Sequence, residues 1–376
     1  MKQKLVIVTT VPETLSTILV GQPRWLDQHF DVSCVTSPEG VDSVKKNESV
    51  PVYCVPMKRG MSPFNDLISI YKMYRLLRRL KPQIVHSYTP KAGLIAMSAA
   101  FFARIPLRVH TFTGLLFPTA EGFKKNILIS SDRWVAFSAT HIVPEGKGVM
   151  TDLLSAGISN NLVEVIGAGN IAGVDIKHFD PELFDNSSAD RRKKFTFCYI
   201  GRLHSEKGVN ELVTAFLGLQ VQANLIILGA MDSTQPIDES TYNIIKTHPD
   251  INFLGFRDDI RETLHKIDVL VLPSFREGFP NVVLQAGAMG KPVIATDING
   301  CNEIIEDGWN GWLVPPRDPL SLRQKMENAA TLSSEDISVL GINARIRVRD
   351  LFSRDQYLSR LLDFYKSIIS DRLPLA

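Results

Sequence analysis

The sequence predicts an α/β protein made of two doubly wound parallel sheets, on three observations. Its 376 residues exceed what one hydrophobic core usually organises, so the length points to two domains. Short β-branched runs alternate with longer amphipathic stretches throughout, the pattern of parallel strands covered by helices on both faces. A polar segment carrying Pro181, Asn186, Ser187, Ser188 and the cluster Arg191 to Lys194 interrupts that alternation and reads as a linker. The expected organisation is an N-terminal domain over 1–180, a linker over 181–194, a C-terminal domain over 195–352 and a closing helix over 353–376.

In the N-terminal half, strands are expected at Leu5 to Val8, Val32 to Val35, Ile84 to Val85, Arg108 to His110 and Ile142 to Val143. Between the second and third runs, Met57 to Lys81 combines Lys58, Arg59, Lys72, Arg75, Arg78, Arg79 and Lys81 with Met61, Phe64, Leu67, Ile70, Tyr71, Tyr74, Leu76, Leu77 and Leu80, the composition of a basic amphipathic helix. Such a face suits an anionic lipid surface, or equally a helix packed on the sheet with a solvated basic edge. Phe123, Lys124 and Lys125 can join either surface. In the C-terminal half, strands are expected at Phe195 to Ile200, Leu225 to Leu228, Val269 to Leu272 and Val293 to Ala295. Gly201, Gly229 and Ser274 follow three of them, and such loops line the crevice at the carboxyl ends of a parallel sheet. Residues 321–370 read as helices, and the tail with Tyr357, Leu361, Leu362, Tyr365 and Ile368 requires an apolar surface to cover.

Composition narrows the class. An apolar fraction of 44% with 22% charged residues supplies enough hydrophobic surface to offset chain entropy, which excludes disorder. Forty-two Lys and Arg stand against forty Asp and Glu, a formal charge of +2, too balanced for a protein that binds nucleic acid through bulk charge. Cys34, Cys54, Cys198 and Cys301 lie far apart, without zinc spacing or a disulfide framework, and suit a reducing cytoplasm. Met1 to Thr10 reads as a strand rather than a secretion signal, and no run approaches the roughly 20 apolar residues that span a bilayer. The expected location is cytoplasmic, with a peripheral position on the cytoplasmic face of the inner membrane as the alternative.

The chemistry concentrates in two runs. Pro273-Ser-Phe-Arg-Glu-Gly-Phe-Pro-Asn-Val-Val-Leu-Gln285 follows an apolar strand and passes into a helix, with Glu277 on the loop and Gly278 and Pro280 shaping the turn. The first amides of that helix, near Asn281 and Val282, have no intrahelical acceptor, and such an end binds an anion. A carboxylate beside an anion site suits the hydroxyls of a sugar joined to a phosphate; taken alone, Glu277 could equally stabilise the helix dipole. Gly201-Arg-Leu-His-Ser-Glu-Lys-Gly208 occupies another strand-to-helix loop and brings Arg202 and Lys207 to the same carboxyl-end crevice. A planar fork and a point charge together suit a diphosphate.

These two runs resemble the retaining glycosyltransferases of family 4. The resemblance extends over the C-terminal half: the G-R-L…E-K-G loop, an E-x7-E-like element, Gly290-Lys-Pro-Val-Ile-Ala-Thr296, Gly300-x-x-Glu303 and Asp307-Gly-x-Asn-Gly-x-Leu-Val314. In the N-terminal half, Gln83 to Gly93 and Arg108 to Gly114 resemble bacterial members that build surface polysaccharides such as O-antigen. The resemblance implies the GT-B fold: two Rossmann-like domains facing a central cleft, with the C-terminal helix returning toward the N-terminal domain. It implies that Arg202 and Lys207 hold the donor diphosphate, that Glu277 contacts the donor sugar, and that Gly201 and the run Gly278, Phe279, Pro280, Asn281 and Val282 complete the donor pocket. Three catalytic candidates follow: Glu277, Arg202 and Lys207.

Three positions depart from the family pattern. Gln285 stands where a second glutamate is usual, and its amide can still accept from a ribose hydroxyl. Thr9, Thr10 and Pro12 replace a double-glycine turn after the first strand. Thr113 replaces a histidine before Gly114; both residues can approach the donor sugar, while His110 reads as a strand residue with a satisfied ring. The sequence has no Asp-x-Asp pair and no assignable pair of hydrolase carboxylates. The expected reaction is metal-independent, cofactor-free, retaining transfer from a UDP-hexose or UDP-N-acetylhexosamine to a polyprenyl-diphosphate-linked saccharide, driven by electrostatic stabilisation of the leaving diphosphate. A non-catalytic sugar-nucleotide-binding or scaffold protein is the alternative. Gly167 to Ala172 also satisfies G-x-G-x-x-A after Val163 to Ile166, but Asp175, His178, Phe179 and Pro181 follow in place of a crossover helix, which argues against a nicotinamide-dependent oxidoreductase.

Overall fold

The computed structural model describes residues 2–58, 60, 62–158, 165–184 and 194–372. Tertiary contacts divide the chain into two units, Met1–Gly173 with Asp355–Ala376, and Val174–Arg354. The first division falls upstream of the 181–194 segment because the residues after Gly173 are tied to the second unit. Val174 N donates to Phe352 O at 2.9 Å, Arg354 pairs with Asp175 at 3.3 Å, and Arg345 pairs with Asp180 at 2.9 Å. Residues 185–193 of the expected linker lie outside the described residues.

The N-terminal unit contains strands β1 (Lys4–Val8), β2 (Asp31–Thr36), β3 (Val52–Cys54), β4 (Ile84–Tyr88), β5 (Leu107–Phe112) and β6 (His141–Pro144). Its helices are α1 (Gln22–Leu26), α2 (Val41–Asn47), α3 (Pro63–Leu80), α4 (Pro90–Phe102), α5 (Gly122–Ser138) and α6 (Lys147–Ser155). The second unit contains β7 (Phe195–Ile200), β8 (Ala223–Leu228), β9 (Ile251–Gly255), β10 (Val269–Leu272), β11 (Val293–Thr296) and β12 (Gly311–Val314). Its helices are α7 (Val209–Leu217), α8 (Glu239–Thr247), α9 (Arg261–Lys266), α10 (Asn281–Ala288), α11 (Cys301–Ile304), α12 (Pro319–Thr331) and α13 (Ser334–Phe352); α14 (Arg354–Arg372) closes the chain.

Both sheets are parallel, in the orders β3-β2-β1-β4-β5-β6 and β12-β11-β10-β7-β8-β9. Each is a doubly wound sheet whose strand order reverses at one point, between β1 and β4 in the first and between β7 and β10 in the second. Ligands of such sheets bind at the carboxyl ends of the strands at that point. In the N-terminal unit, α3, α4 and α5 share one core with Val6, Val8 and Val85. Alternate residues on the same strands, Leu5, Ile7 and Ile84, pack against Tyr357, Leu361, Tyr365 and Ile368 of α14. The amphipathic tail thus finds its apolar surface on the N-terminal sheet, where each fully buried large apolar side chain contributes about 1.5–3 kcal/mol.

Two local features settle readings of the sequence. Val163 and Glu164 lie outside the described residues, but Gly167 to Ala172 forms a turn: Asn170 Oδ1 accepts from the amides of Ala172 and Gly173 at 2.9 and 2.8 Å, and among the described residues no α-helix follows before β7. The dinucleotide pattern therefore lacks its helix. At the end of β1, Thr10 takes the place of the double-glycine turn by side-chain bonding. Its hydroxyl lies 2.6 Å from that of Thr89 and accepts from Ala92 N at 3.1 Å. Among the described residues, no helix is long and apolar enough to cross a membrane.

Candidate active site

The two loops singled out by the sequence leave β7 and β10, the strands that flank the reversal point of the second sheet. They touch. Gly208 has φ +67°, and a Cβ there would lie 2.0 Å from the carbonyl oxygen of Pro273. Only glycine combines that backbone with so close an approach. Phe275 N donates to Glu206 O at 2.8 Å, and Arg276 Nη2 pairs with Glu206 Oε2 at 3.0 Å. Burial alone raises the Glu206 pKa, but the hydrogen bond and charge of Arg276, aided by His204 and Lys207, outweigh it and leave the carboxyl below its usual range.

Lys207 Nζ donates to Glu277 Oε1 at 2.6 Å, with the side chains 20% and 13% exposed. An ammonium has three donors, so this bond aims Lys207 and leaves it capacity for further acceptors. Glu277 stands at the last turn before α10, which begins after Pro280 without a side-chain cap. Gly278 is backed by Gly300, where a Cβ would come within 2.2 Å of the Gly278 carbonyl oxygen. That contact gives the Gly300-x-x-Glu303 element a physical purpose: it seats the turn that carries Glu277.

The remaining candidates differ in what they offer. Arg202 is exposed and pairs with Asp232, on the loop after β8. Hydrogen bonds from the Thr234 hydroxyl and amide, and then the Arg202 charge, push the Asp232 carboxyl down to about 2. Gly201 packs on the Tyr199 ring, whose hydroxyl donates to Arg202 O at 2.7 Å. Asn281 and Val282 are half-buried in the first turn of α10, and Gln285 is half-buried one turn further. Phe279 is buried, its ring 5.4 Å from that of Phe352. Only its backbone faces the loop, because the ring belongs to the core.

Thr113 and Gly114 lie in the N-terminal unit, half-buried just beyond the carboxyl end of β5. His110 is fully enclosed: Nδ1 lies 2.8 Å from Ser87 Oγ and the ring lies flat against Gly93. Burial lowers its pKa to about 3, which makes it a neutral structural residue. Sequence reasoning missed Asp232, Glu206 and Arg276 as partners. Glu206 and Arg276 stood in the quoted runs beside Lys207 and Glu277, and Asp232 stood three residues past Gly229 at a strand end, so position was the available signal.

The assembled site is a set of three cations, Arg202, Lys207 and Arg276, each held by one carboxylate, at the carboxyl ends of β7, β8 and β10 and beside the start of α10. Such an arrangement presents cationic donors to an anion while the paired loops by themselves stay close to charge-neutral. Among the described residues, no group of three or more His, Cys, Asp or Glu side chains could hold a metal ion.

Comparison with known proteins identifies the family and the fold. The family model for glycosyl transferases group 1 matches residues 194–331, and that for the glycosyl transferase 4-like domain matches residues 22–169. The chain is 30% identical over 380 aligned residues, 98% of each chain, to the capsular polysaccharide biosynthesis glycosyltransferase CapM of Staphylococcus aureus. It is 25% identical, over 92% of this chain and 91% of the other, to an Escherichia coli UDP-Gal:alpha-D-GlcNAc-diphosphoundecaprenol alpha-1,3-galactosyltransferase. The crystal structure of Anabaena HepE in complex with UDP-glucose superimposes with a TM-score of 0.80 at 19% identity, covering 97% of this chain and 99% of that one. The chain belongs to the group 1, family 4-like glycosyltransferases and is a glycosyltransferase of the GT-B fold.

Proposed function

We propose that the protein transfers a hexose or N-acetylhexosamine, with retention of configuration, from a UDP-sugar to a polyprenyl-diphosphate-linked saccharide in the assembly of a bacterial surface polysaccharide. The observation that carries this reading is the meeting of Lys207 and Glu277 at the reversal point of the second sheet, 2.6 Å apart beside a helix start. The donor diphosphate would take the free donors of Lys207, the fork of Arg202 and the amides opening α10, while Glu277 would accept from hydroxyls of the sugar. As the glycosidic bond to phosphate breaks, charge grows on the departing UDP, and donors already in place stabilise it without reorganisation. These cations belong to the chain itself, and with no Asp-x-Asp pair in the sequence the proposed transfer needs no metal. Gln285 would offer its amide to the ribose.

Two relatives support the finer assignment: the E. coli enzyme's name specifies UDP-Gal and a diphosphoundecaprenol acceptor, and HepE binds UDP-glucose. The test is a panel of radiolabelled UDP-sugars incubated with the protein and a bacterial membrane extract, with and without chelator. One donor should carry label into the lipid fraction, unaffected by chelator, and the product's anomeric proton should show the donor's configuration. UDP-dependent thermal stabilisation with no transfer from any donor would replace this reading with that of a binding protein.

A further inference from the structure

We propose that the start of α3 and the start of α5 form the face by which the N-terminal unit lies on an anionic bilayer, with Phe64, Leu67, Tyr71 and Phe123 entering the boundary between headgroups and acyl chains. The inference extends the proposed use of a lipid-linked acceptor and rests on that reading. Helix α3 meets its obligation to the core with one stripe: Asp66, Ser69, Met73 and Leu77 are buried. A second apolar stripe points outward at helical spacing, with Phe64 76%, Leu67 66% and Tyr71 61% exposed. A helix that merely covered its sheet would account for the first stripe and not for the second. Phe123, at the start of α5, is 80% exposed. Helix α4 packs between α3 and α5 on the same face of the sheet.

Position and charge identify the occupant. The strands are parallel and each helix returns between them, so the starts of α3 and α5 stand at the carboxyl edge of the sheet, the edge at which doubly wound sheets take ligands. The exposed surface of α3 continues from its aromatic start into Lys72, Arg75, Arg78 and Arg79, and Lys124 and Lys125 flank Phe123. The one acid of α3, Asp66, is buried and held by Lys91 Nζ at 2.9 and 2.7 Å. The same ion pair ties the start of α3 to that of α4. Glu121 is the exposed acid beside this surface, and Asp132 lies further along α5, half-buried. Apolar side chains bordered by cations are the two signals that stable peripheral binding to anionic lipid requires.

The experiment uses the full chain without substrates: sedimentation with vesicles of phosphatidylcholine alone and with one third phosphatidylglycerol, at low and high salt. Binding is expected with phosphatidylglycerol, weaker at high salt and on phosphatidylcholine alone. Changing Phe64→Ser, Leu67→Ser, Tyr71→Ser and Phe123→Ser together should lower the partition at least tenfold with the thermal melt unchanged, as should Arg75→Glu with Arg78→Glu, since each basic residue near such a surface contributes about 1 kcal/mol. Failure of the native chain to sediment, equal binding to both vesicle types, or native binding by either variant would overturn the proposal. So would a native dimer that these changes make monomeric, which would give the face to a second copy. Sedimentation does not depend on turnover, so vesicle binding without transfer to any lipid-linked acceptor would sink the acceptor reading and leave this surface standing.

Discussion

Replacing Lys207 by methionine removes the charge and keeps most of the side chain, which makes it the sharpest probe of the site. The ammonium and the Glu277 carboxylate are 2.6 Å apart, a gross attraction of about 6 kcal/mol at an effective dielectric constant near 20, most of it offset by desolvation. A hydrogen bond between charged groups contributes about 1.5–3 kcal/mol net. Lys207→Met should therefore destabilise the second unit by about that amount, or about 3–12 °C in its melting temperature at its size. Transfer should fall further, by about 10²–10³ in kcat, the usual cost of losing one preorganised donor to developing charge. Glu277→Gln separates the two effects: the amide oxygen still accepts from Lys207, so stability should change by less than about 1 kcal/mol, while transfer again drops by about two orders of magnitude or more. The assay is release of UDP with a membrane acceptor, run beside thermal melts of each variant. If Glu277→Gln keeps native kcat, or Lys207→Met costs stability with transfer untouched, the pair is a structural tie between two loops and the mechanistic assignment is wrong.

Two further outcomes follow from other contacts. Gly208→Ala would place a methyl carbon 2.0 Å from the Pro273 carbonyl oxygen at a φ of +67°, forcing the loops apart; it should cost about 1–3 kcal/mol and abolish the thermal shift produced by UDP, and a normal shift would contradict the loop geometry. His110 is buried neutral with a pKa near 3 against a usual 6.5, and burial lowers His86 in the same direction. Depressed imidazoles favour folding above pH 6.5, and that contribution is lost as pH falls toward the folded value. Urea unfolding at pH 5.5 should therefore show about 1.4 kcal/mol less stability from His110 alone, and His110→Gln should flatten the slope.

The fold was legible where strands are buried on both faces. β4 and β10 are wholly buried, so they read as short apolar runs bounded by turn residues, and the helices between them follow from crossover geometry. β3, β9 and β12 escaped notice. They stand at sheet edges, and the burial of β3 and β9 is partial, so selection for apolar residues is weaker there and the pattern fades. The division at Gly173 was invisible for a different reason. It depends on which unit captures Val174 to Asp180, and that is decided by contacts to Phe352, Arg345 and Arg354 more than 160 residues away in the chain.

The site shows the same split between local and distant information. Glycines, Pro280 and the ionisable groups of the two runs announce strand-to-helix loops, because each loop must turn sharply and expose backbone amides. Pairing is a property of the sheet order, which brings β7 beside β10, and no spacing within either run encodes it. That pairing alters the chemistry expected of the residues. Read singly, Arg202 and Lys207 are free cations awaiting phosphate; in the structure each is already neutralised, by Asp232 and Glu277. On the reading proposed above, Glu277 would gain the sugar hydroxyls while Lys207 turned its spare donors to the diphosphate, the bond between the two side chains being kept. A cluster whose cations already have resident carboxylates would act on a departing anion through where its donors point rather than through excess positive charge, the condition under which preorganised donors respond to charge as it develops.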